Sequence, residues 1–349
     1  MYVPVMKNRT VEVSVLQQLS VIHVFDGDII PLVELIQEKT RSNNRNTFIQ
    51  DMCTILENAP GMRTMVDFYK STKLRNTTDA IREYVTMSIR LPEFGVRELE
   101  PLAEYSDRVI PVVSYLSENV SLDRIIYETN QYRTTFPHIA FRVKVQEFEH
   151  VFSCVERVIS PQDYLILDIE SASHMNPVFK KMYKRIADSK KIHQFTSVII
   201  NANRRENLTN KEMLDGEPIG DIDNSLKEFY SSAYMSRFDG FGDYACISAA
   251  LPSTGGAISP VGIYYSNENN FFVSYRGRAP QLSEFPMYIA PRIINSEYWK
   301  EFSEEHHNMC PGCVEIEEIV SGKKSGRNQA QWKMITMLHY IYTMFEEDA

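Results

Sequence analysis

The sequence predicts an α/β protein, a (β/α)8 TIM-like barrel with an inserted β-hairpin and a C-terminal helix. Three observations carry this. Eight short apolar runs precede residue 250, several of them ending on a polar residue, as in RVIPVVSY (108–115), HIAFRVKV (138–145) and YLILDIES (164–171). Helix-length stretches separate the runs, and strand alternating with helix implies parallel pairing through crossovers. The first run leads into Met6-Lys7-Asn8-Arg9 with no glycine, whereas an open doubly wound sheet usually carries a glycine-rich phosphate turn at that point.

In chain order, the predicted strands are 2–6, 29–35, 64–69, 109–115, 139–145, 164–169, 197–201 and 242–247. Between them, Val11, Val15 and Leu19, with Leu16 beside them, repeat at helical spacing, and 148–159 and 178–186 read the same way. Past the eighth strand the pattern changes. Two aromatic runs, 261–265 and 271–275, flank Ser266-Asn267-Glu268-Asn269-Asn270 and read as a β-hairpin with a polar turn. An irregular stretch follows, ending in Gly322-Lys323-Lys324-Ser325-Gly326. A last helix is predicted over 328–345, with Trp332, Ile335, Met337, Leu338, Ile341 and Phe345 as its apolar surface. The chain, 1–349, reads as a single barrel domain in which 251–326 is a hairpin and loop insertion before the last helix.

Composition narrows the function classes. With 43% hydrophobic and 24% charged residues among 349, the chain is expected to bury a large core rather than remain disordered. A net charge of -9 disfavours long-range attraction to duplex nucleic acid or anionic membrane. No apolar stretch reaches the ~18–20 residues of a membrane span, and MYVPVMKNRT lacks the pattern of a secretory signal. Five cysteines, an odd number, do not suggest a disulfide framework. Cys53, Cys154 and Cys246 read as core thiols, and a reducing cytoplasmic setting is expected.

Barrel strands alternate between interior and helix layer, and functional groups collect at their C-terminal ends. Arg142 and Lys144 share parity on one strand, Asp168 and Glu170 on the next, Asn201 and Asn203 on the seventh, and Asp67 and Tyr69 on the third. Glu34 sits late in the second strand, and Asp243 either opens or closes the eighth. Charges among such apolar residues are costly unless paired or facing a polar cavity. Two roles fit. One is a pocket in which Asp168, Asp243, Glu34 and Lys144 do acid–base work while Arg142, Asp67, Tyr69, Glu170, Asn201, Asn203 and Tyr244 bind a small anionic ligand. The other is a salt-bridge layer bracing the barrel. Asp168 with Lys144 on adjacent strands is the pair singled out. A divalent cation held by Asp67, Asp168 and Asp243 is chemically reasonable, because hard cations prefer carboxylate oxygens.

Arginines add phosphate-clamp candidates in Arg276-Gly277-Arg278 on the hairpin and Arg204-Arg205 after the seventh strand. They equally suit solvated loops. Thr254-Gly255-Gly256 follows the eighth strand, where barrels often hold phosphate, but a lone glycine pair is a weak signal. The segment His306-His307-Asn308-Met309-Cys310-Pro311-Gly312-Cys313 offers metal donors in Cys310, Cys313 and His306. No second CxxC or HxxxH completes it, and adjacent His306 and His307 cannot easily both reach one ion. Redox chemistry or an unliganded loop are the alternatives. His23, His138, His150, His174, His193 and His339 fit no triad spacing and read as surface or core residues. Nucleophile-elbow, P-loop and kinase signatures are absent.

Several short motifs together resemble the phage and prophage "beta protein" family. These are the opening Tyr2-Val3-Pro4-Val5-Met6-Lys7, Ile30-Pro31-Leu32-Val33-Glu34, Phe241-Gly242-Asp243-Tyr244, and Cys310 to Cys313 followed by Gly326, Asn328, Trp332 and His339. Tyr340 stands where the family has the second of two consecutive histidines. The resemblance is compatible with a barrel-like fold. It implies, from the family's setting in phages, prophages and mobile regions, a role in phage–host conflict. Two functions follow as expectations. One is an enzyme acting on a phosphorylated or nucleotide-like ligand at the strand ends. The other is a non-catalytic protein that recognises a phage or host protein through the hairpin and C-terminal loop.

Overall fold

Eight parallel strands close into a barrel in the computed structural model, which describes residues 1–38, 47–74, 77–116, 120–231, 238–251 and 258–348. They are β1 (Tyr2–Lys7), β2 (Leu32–Leu35), β3 (Thr64–Phe68), β4 (Val109–Ser114), β5 (Ala140–Lys144), β6 (Tyr164–Asp168), β7 (Thr196–Asn201) and, after a two-residue strand β8 (Glu217–Pro218) outside the barrel, β9 (Gly240–Asp243). The barrel order is β1 to β7 in sequence, then β9, which returns to pair with β1. Helices such as Thr10–Val21, Phe48–Asn58, Leu122–Arg133 and Phe179–His193 form the crossovers. Two of their starts follow from capping chemistry: Thr47 and Gln50 make a reciprocal capping box, and Ser121 accepts from the Arg124 amide. The fold class is therefore the one the alternation predicts. No helix among the described residues is long and apolar enough to cross a membrane.

Register decides which charges share a level. Lys7 lies opposite Glu34, Glu34 opposite Asp67, and Lys144 opposite Asp168. Because directly opposed residues in a sheet share a face, one inward set can be traced around the barrel through Asp168, Ile200, Gly242 and Val3. The outward set includes Asn201, Asp243 and Pro4.

Beyond the barrel, β10 (Val261–Ser266) and β11 (Phe271–Arg276) form the expected antiparallel hairpin, and β8 adds a third strand that its two-residue length concealed. The stretch read as irregular is largely helical, with turns at Ala290–Ile294, Glu297–Lys300, Glu304–Met309 and Pro311–Val320. These are too short to show a period, and Pro291 and Pro311 sit in first turns, where proline fits. The last helix runs Gln329–Asp348. Thr254-Gly255-Gly256 lies outside the described residues. Cys246 is buried, but Cys53 and Cys154 are only half-buried rather than core thiols.

The eighth barrel strand ends at Asp243 instead of running on to residue 247. Ala245 and Cys246 adopt φ of 46° and 67°, left-handed backbone that cannot continue a strand. Inside β9, a Cβ on Gly242 would lie 2.2 Å from the Val3 carbonyl oxygen and 2.9 Å from Ile200 Cγ2. Glycine is thus required where β9 meets β1. Gly242→Ala is expected to cost at least about 1–3 kcal/mol from overpacking, read as a lower urea midpoint, and an unchanged midpoint would mean that this seam is looser than described.

Candidate functional site

The centre of the barrel mouth is Arg142 on β5, nearly buried and facing inward. Its Nη1 donates to Glu34 Oε1 at 2.8 Å and Asp67 Oδ2 at 2.9 Å. Its Nε and Nη2 donate to Asp168 Oδ2 at 3.0 and 2.6 Å, and Nη2 also donates to the Tyr244 hydroxyl oxygen at 2.8 Å. A guanidinium has five N–H donors, and all five are used. Acids from β2, β3 and β6 converge on it because the register places them on one level of the interior.

Lys7, at the end of β1, completes the cluster. Its Nζ lies 3.0 Å from Glu34 Oε2 and 4.7 Å from the Tyr244 ring centroid. The Tyr244 hydroxyl donates to Glu34 Oε1 at 2.9 Å. Burial would raise the Glu34 carboxyl, but Lys7 and Arg142 outweigh it and hold it at about 2. Asp67 goes the other way: burial pushes it up despite Arg142 and Lys70. From Asp67 a line runs to the open side. Ser114 Oγ donates to Asp67 Oδ1 at 2.7 Å, and Lys70 Nζ donates to Ser114 Oγ at 3.3 Å. Burial lowers the Lys70 ammonium from its ordinary value.

Above this floor opens a cavity of about 340 Å³, lined by Tyr69, Lys70, Lys73, Lys144, Gln146 and Glu170 among others. Lys144 pairs with Glu170 at 3.1 Å on the rim rather than with Asp168, which Arg142 has taken. Gln146 also donates to Glu170. Glu170 has φ of 50° and its amide donates to Asp168 Oδ1 at 2.9 Å, a tight turn after β6 that swings its carboxylate over the mouth. Burial raises that carboxyl, but Lys144 and Gln146 outweigh it and set it below its ordinary value.

Of the sequence candidates, Glu34, Asp67, Tyr69, Arg142, Lys144, Asp168, Glu170 and Tyr244 meet at this mouth. Four do not. Asp243 faces the helix layer, where it accepts from Tyr2 and Tyr340 hydroxyls at 2.9 and 2.7 Å and from the Ala245 amide at 2.7 Å. Asn201 shares its outward face, and Asn203 bonds Asn224 at 2.9 Å. Arg276 is held by Asp215 and the Lys211 carbonyl. Arg142 is itself corrected from anion clamp to anchor for acids. The carboxylate metal site also fails, since Asp243 points away and the guanidinium stands between Asp67 and Asp168 where a cation would sit. Sequence reasoning missed Lys7, by ending the first strand one residue early, and Lys70 and Ser114. Alternation from Val3 and Val5 carries the signal for Lys7.

The candidate metal donors also come together, with one addition. His306, Cys310 and Cys313 are buried around His339, their ligand atoms all within 4.8 Å of one another. His307 is excluded, stacking on Trp299 and facing its carbonyl. His339 is thus a core histidine, as one of its two expected settings had it, and it stands among the metal donors.

Fold and site together define a (β/α)8-barrel protein with a charge-balanced polar floor beneath an open mouth. The chain belongs to the family described as Beta protein, which matches residues 2–346. Among solved structures it is similar to a β-glucuronidase from Ruminococcus gnavus in complex with a C6-substituted uronic isofagomine, at 8% identity and a TM-score of 0.40. That similarity covers 73% of this chain and 44% of the other, so the chain spans less than half that enzyme's length. No curated protein sequence matches.

Removing Arg142 would leave Asp168 without its cation and three buried carboxylates sharing Lys7, with Lys70 beyond Ser114. Arg142→Met is expected to lower unfolding free energy by about 3–5 kcal/mol, measured by chemical denaturation at neutral pH. Glu34 adds an acid-sensitive component. Its folded-state pKa is below the unfolded one, so its stabilisation is present above about 4.5 and lost as pH falls towards about 2. Glu34→Gln should flatten the stability profile in that window, and an unchanged profile would show that Lys7 and Arg142 do not hold it.

Proposed function

We propose that the barrel mouth binds a small phosphorylated ligand of nucleotide size, with Lys70 and Lys73 receiving the phosphate. The observation that carries this is the division of charge at the mouth. The guanidinium is saturated and Lys144 is paired, whereas Lys70 and Lys73 line the cavity with no carboxylate at ion-pair distance among the described residues. The cavity volume lies at the small end of the range for ligand pockets. Any reactivity would centre on the Lys70–Ser114–Asp67 line, the part of the cluster able to pass a proton to the open side. Asp67 and Glu34 have environments that separate their proton affinities, a pattern that assigns donor and ionised roles to two carboxyls. The family's phage and prophage setting supports a role in phage–host conflict.

The alternative, recognition of a phage or host protein through the hairpin, is less favoured because the hairpin is already occupied. Tyr264, Tyr265 and Phe272 are buried, and the turn is tied to Glu301, Asn224 and Glu228.

Isothermal titration against inorganic phosphate, mononucleotides and sugar phosphates tests the reading. At least one should bind, and Lys70→Met should weaken it about 10- to 100-fold, the size of one charged hydrogen bond. Because burial lowers the Lys70 pKa, binding should also weaken as pH rises through that lowered value, sooner than an ordinary lysine would allow. No binding by any of these, or equal affinity in Lys70→Met, would overturn the proposal.

A further inference from the structure

We propose that His306, Cys310, Cys313 and His339 form a closed structural zinc site. The spacing of the donor atoms is the first argument. His339 Nδ1 lies 3.6 Å from each of the Cys310 and Cys313 sulfurs and 3.4 Å from His306 Nε2. With Zn–S of about 2.3 Å and Zn–N of about 2.0–2.1 Å, a tetrahedral zinc has N–S edges of about 3.6 Å and N–N edges of about 3.3 Å. The three distances around His339 are those edges.

The outer partners of the histidines supply the second argument. His339 Nε2 lies 3.0 Å from the Tyr265 carbonyl oxygen, and His306 Nδ1 lies 2.5 Å from Glu346 Oε2. Both partners only accept, so these nitrogens carry the protons. In neutral rings the other two nitrogens, His339 Nδ1 and His306 Nε2, then present lone pairs to each other across 3.4 Å. Two lone pairs and two buried sulfurs that converge on one point are satisfied together when an acceptor of electron pairs sits between them. A cation does this, and proton donation from a histidine to a carboxylate or carbonyl is the usual orientation of zinc-bound imidazole.

Donor type and closure choose the metal and its role. Thiolate and imidazole in a tetrahedral set favour zinc, and four protein ligands with all four residues buried leave no open position for chemistry. Gly312, between the cysteines, permits the geometry. A Cβ there would lie 2.8 Å from the His339 amide nitrogen and 2.8 Å from the Ile335 carbonyl oxygen, so only glycine lets helix Pro311–Val320 approach the last helix this closely. The ion would join helix Glu304–Met309, the start of Pro311–Val320 and the last helix beside β10.

The test uses the full, untagged chain grown with added zinc and purified with thiols protected. Elemental analysis should find one zinc per chain. Cobalt substitution should give the visible bands of a tetrahedral ion with thiolate-to-cobalt charge transfer. Glu346→Gln, at an exposed position, should keep the fold by circular dichroism and weaken zinc affinity about 10- to 100-fold, as loss of an outer hydrogen bond does. Metal-free protein, a Cys310–Cys313 disulfide, cobalt without thiolate bands, or unchanged affinity in Glu346→Gln would each overturn the assignment.

Discussion

Burial of one guanidinium governs the mouth. Moving an unpaired charge out of water costs several kcal/mol even after relaxation, so Arg142 can stand inside the barrel only if its partners are already in place. Glu34, Asp67 and Asp168 supply three negative charges against its one. Lys7 on the first strand offsets part of the excess, and Lys70 lies beside Asp67 through Ser114. The cluster is thereby near neutral and mutually held, with donors and acceptors from β1, β2, β3 and β5, β6 and the end of β9 facing one another. Such saturation separates two jobs that the sequence leaves mixed. The floor is fixed by its internal pairs, and in the proposed reading contact with a ligand falls to the lysines and tyrosine around it.

How far these residues could be read in advance depended on locality. The eight runs, the hairpin and the last helix are local patterns, and each stands in the structure within a few residues of its expected bounds. Arg142, Lys144, Asp168 and Glu170 were legible because apolar neighbours on one strand reveal parity. Asn201, Asn203 and Asp243 were not, since a polar residue at a strand end can face either layer and register with the neighbouring strands decides. That register is non-local: it places Asn201 opposite Asp243 and both outside the barrel. His339 stood in the family motif but not among the expected donors, because it lies 26 residues beyond Cys313 and on a different helix.

Asp243 and Tyr244, adjacent in sequence, serve opposite layers. Tyr244 turns inward to Arg142 and Glu34, and Asp243 turns outward to Tyr2 and Tyr340. The left-handed residues that follow end β9 and let the Ala245 amide cap the Asp243 carboxylate. Burial raises the Asp243 carboxyl even so, although three donors favour its ionised form. The residue looked catalytic from sequence because it is an acid at a strand end. Its geometry instead makes it the fastening between the closing strand and the last helix.

That helix repeats the device. His339 faces the cysteines while Tyr340, the next residue, reaches Asp243, so two adjacent side chains tie one helix to two different clusters. The position where the family carries a second histidine holds a tyrosine whose hydroxyl is engaged at the barrel seam. A second imidazole ligand at 340 would project about 100° around the helix from 339, away from the cysteines. The four-donor set can therefore be complete without it. The hairpin and the last helix together brace the seam where β9 meets β1. Gly240 and Gly242 place no side chain on the inner face of that seam, and Tyr2, Phe241, Tyr340 and Asp243 supply its contacts on the outer face.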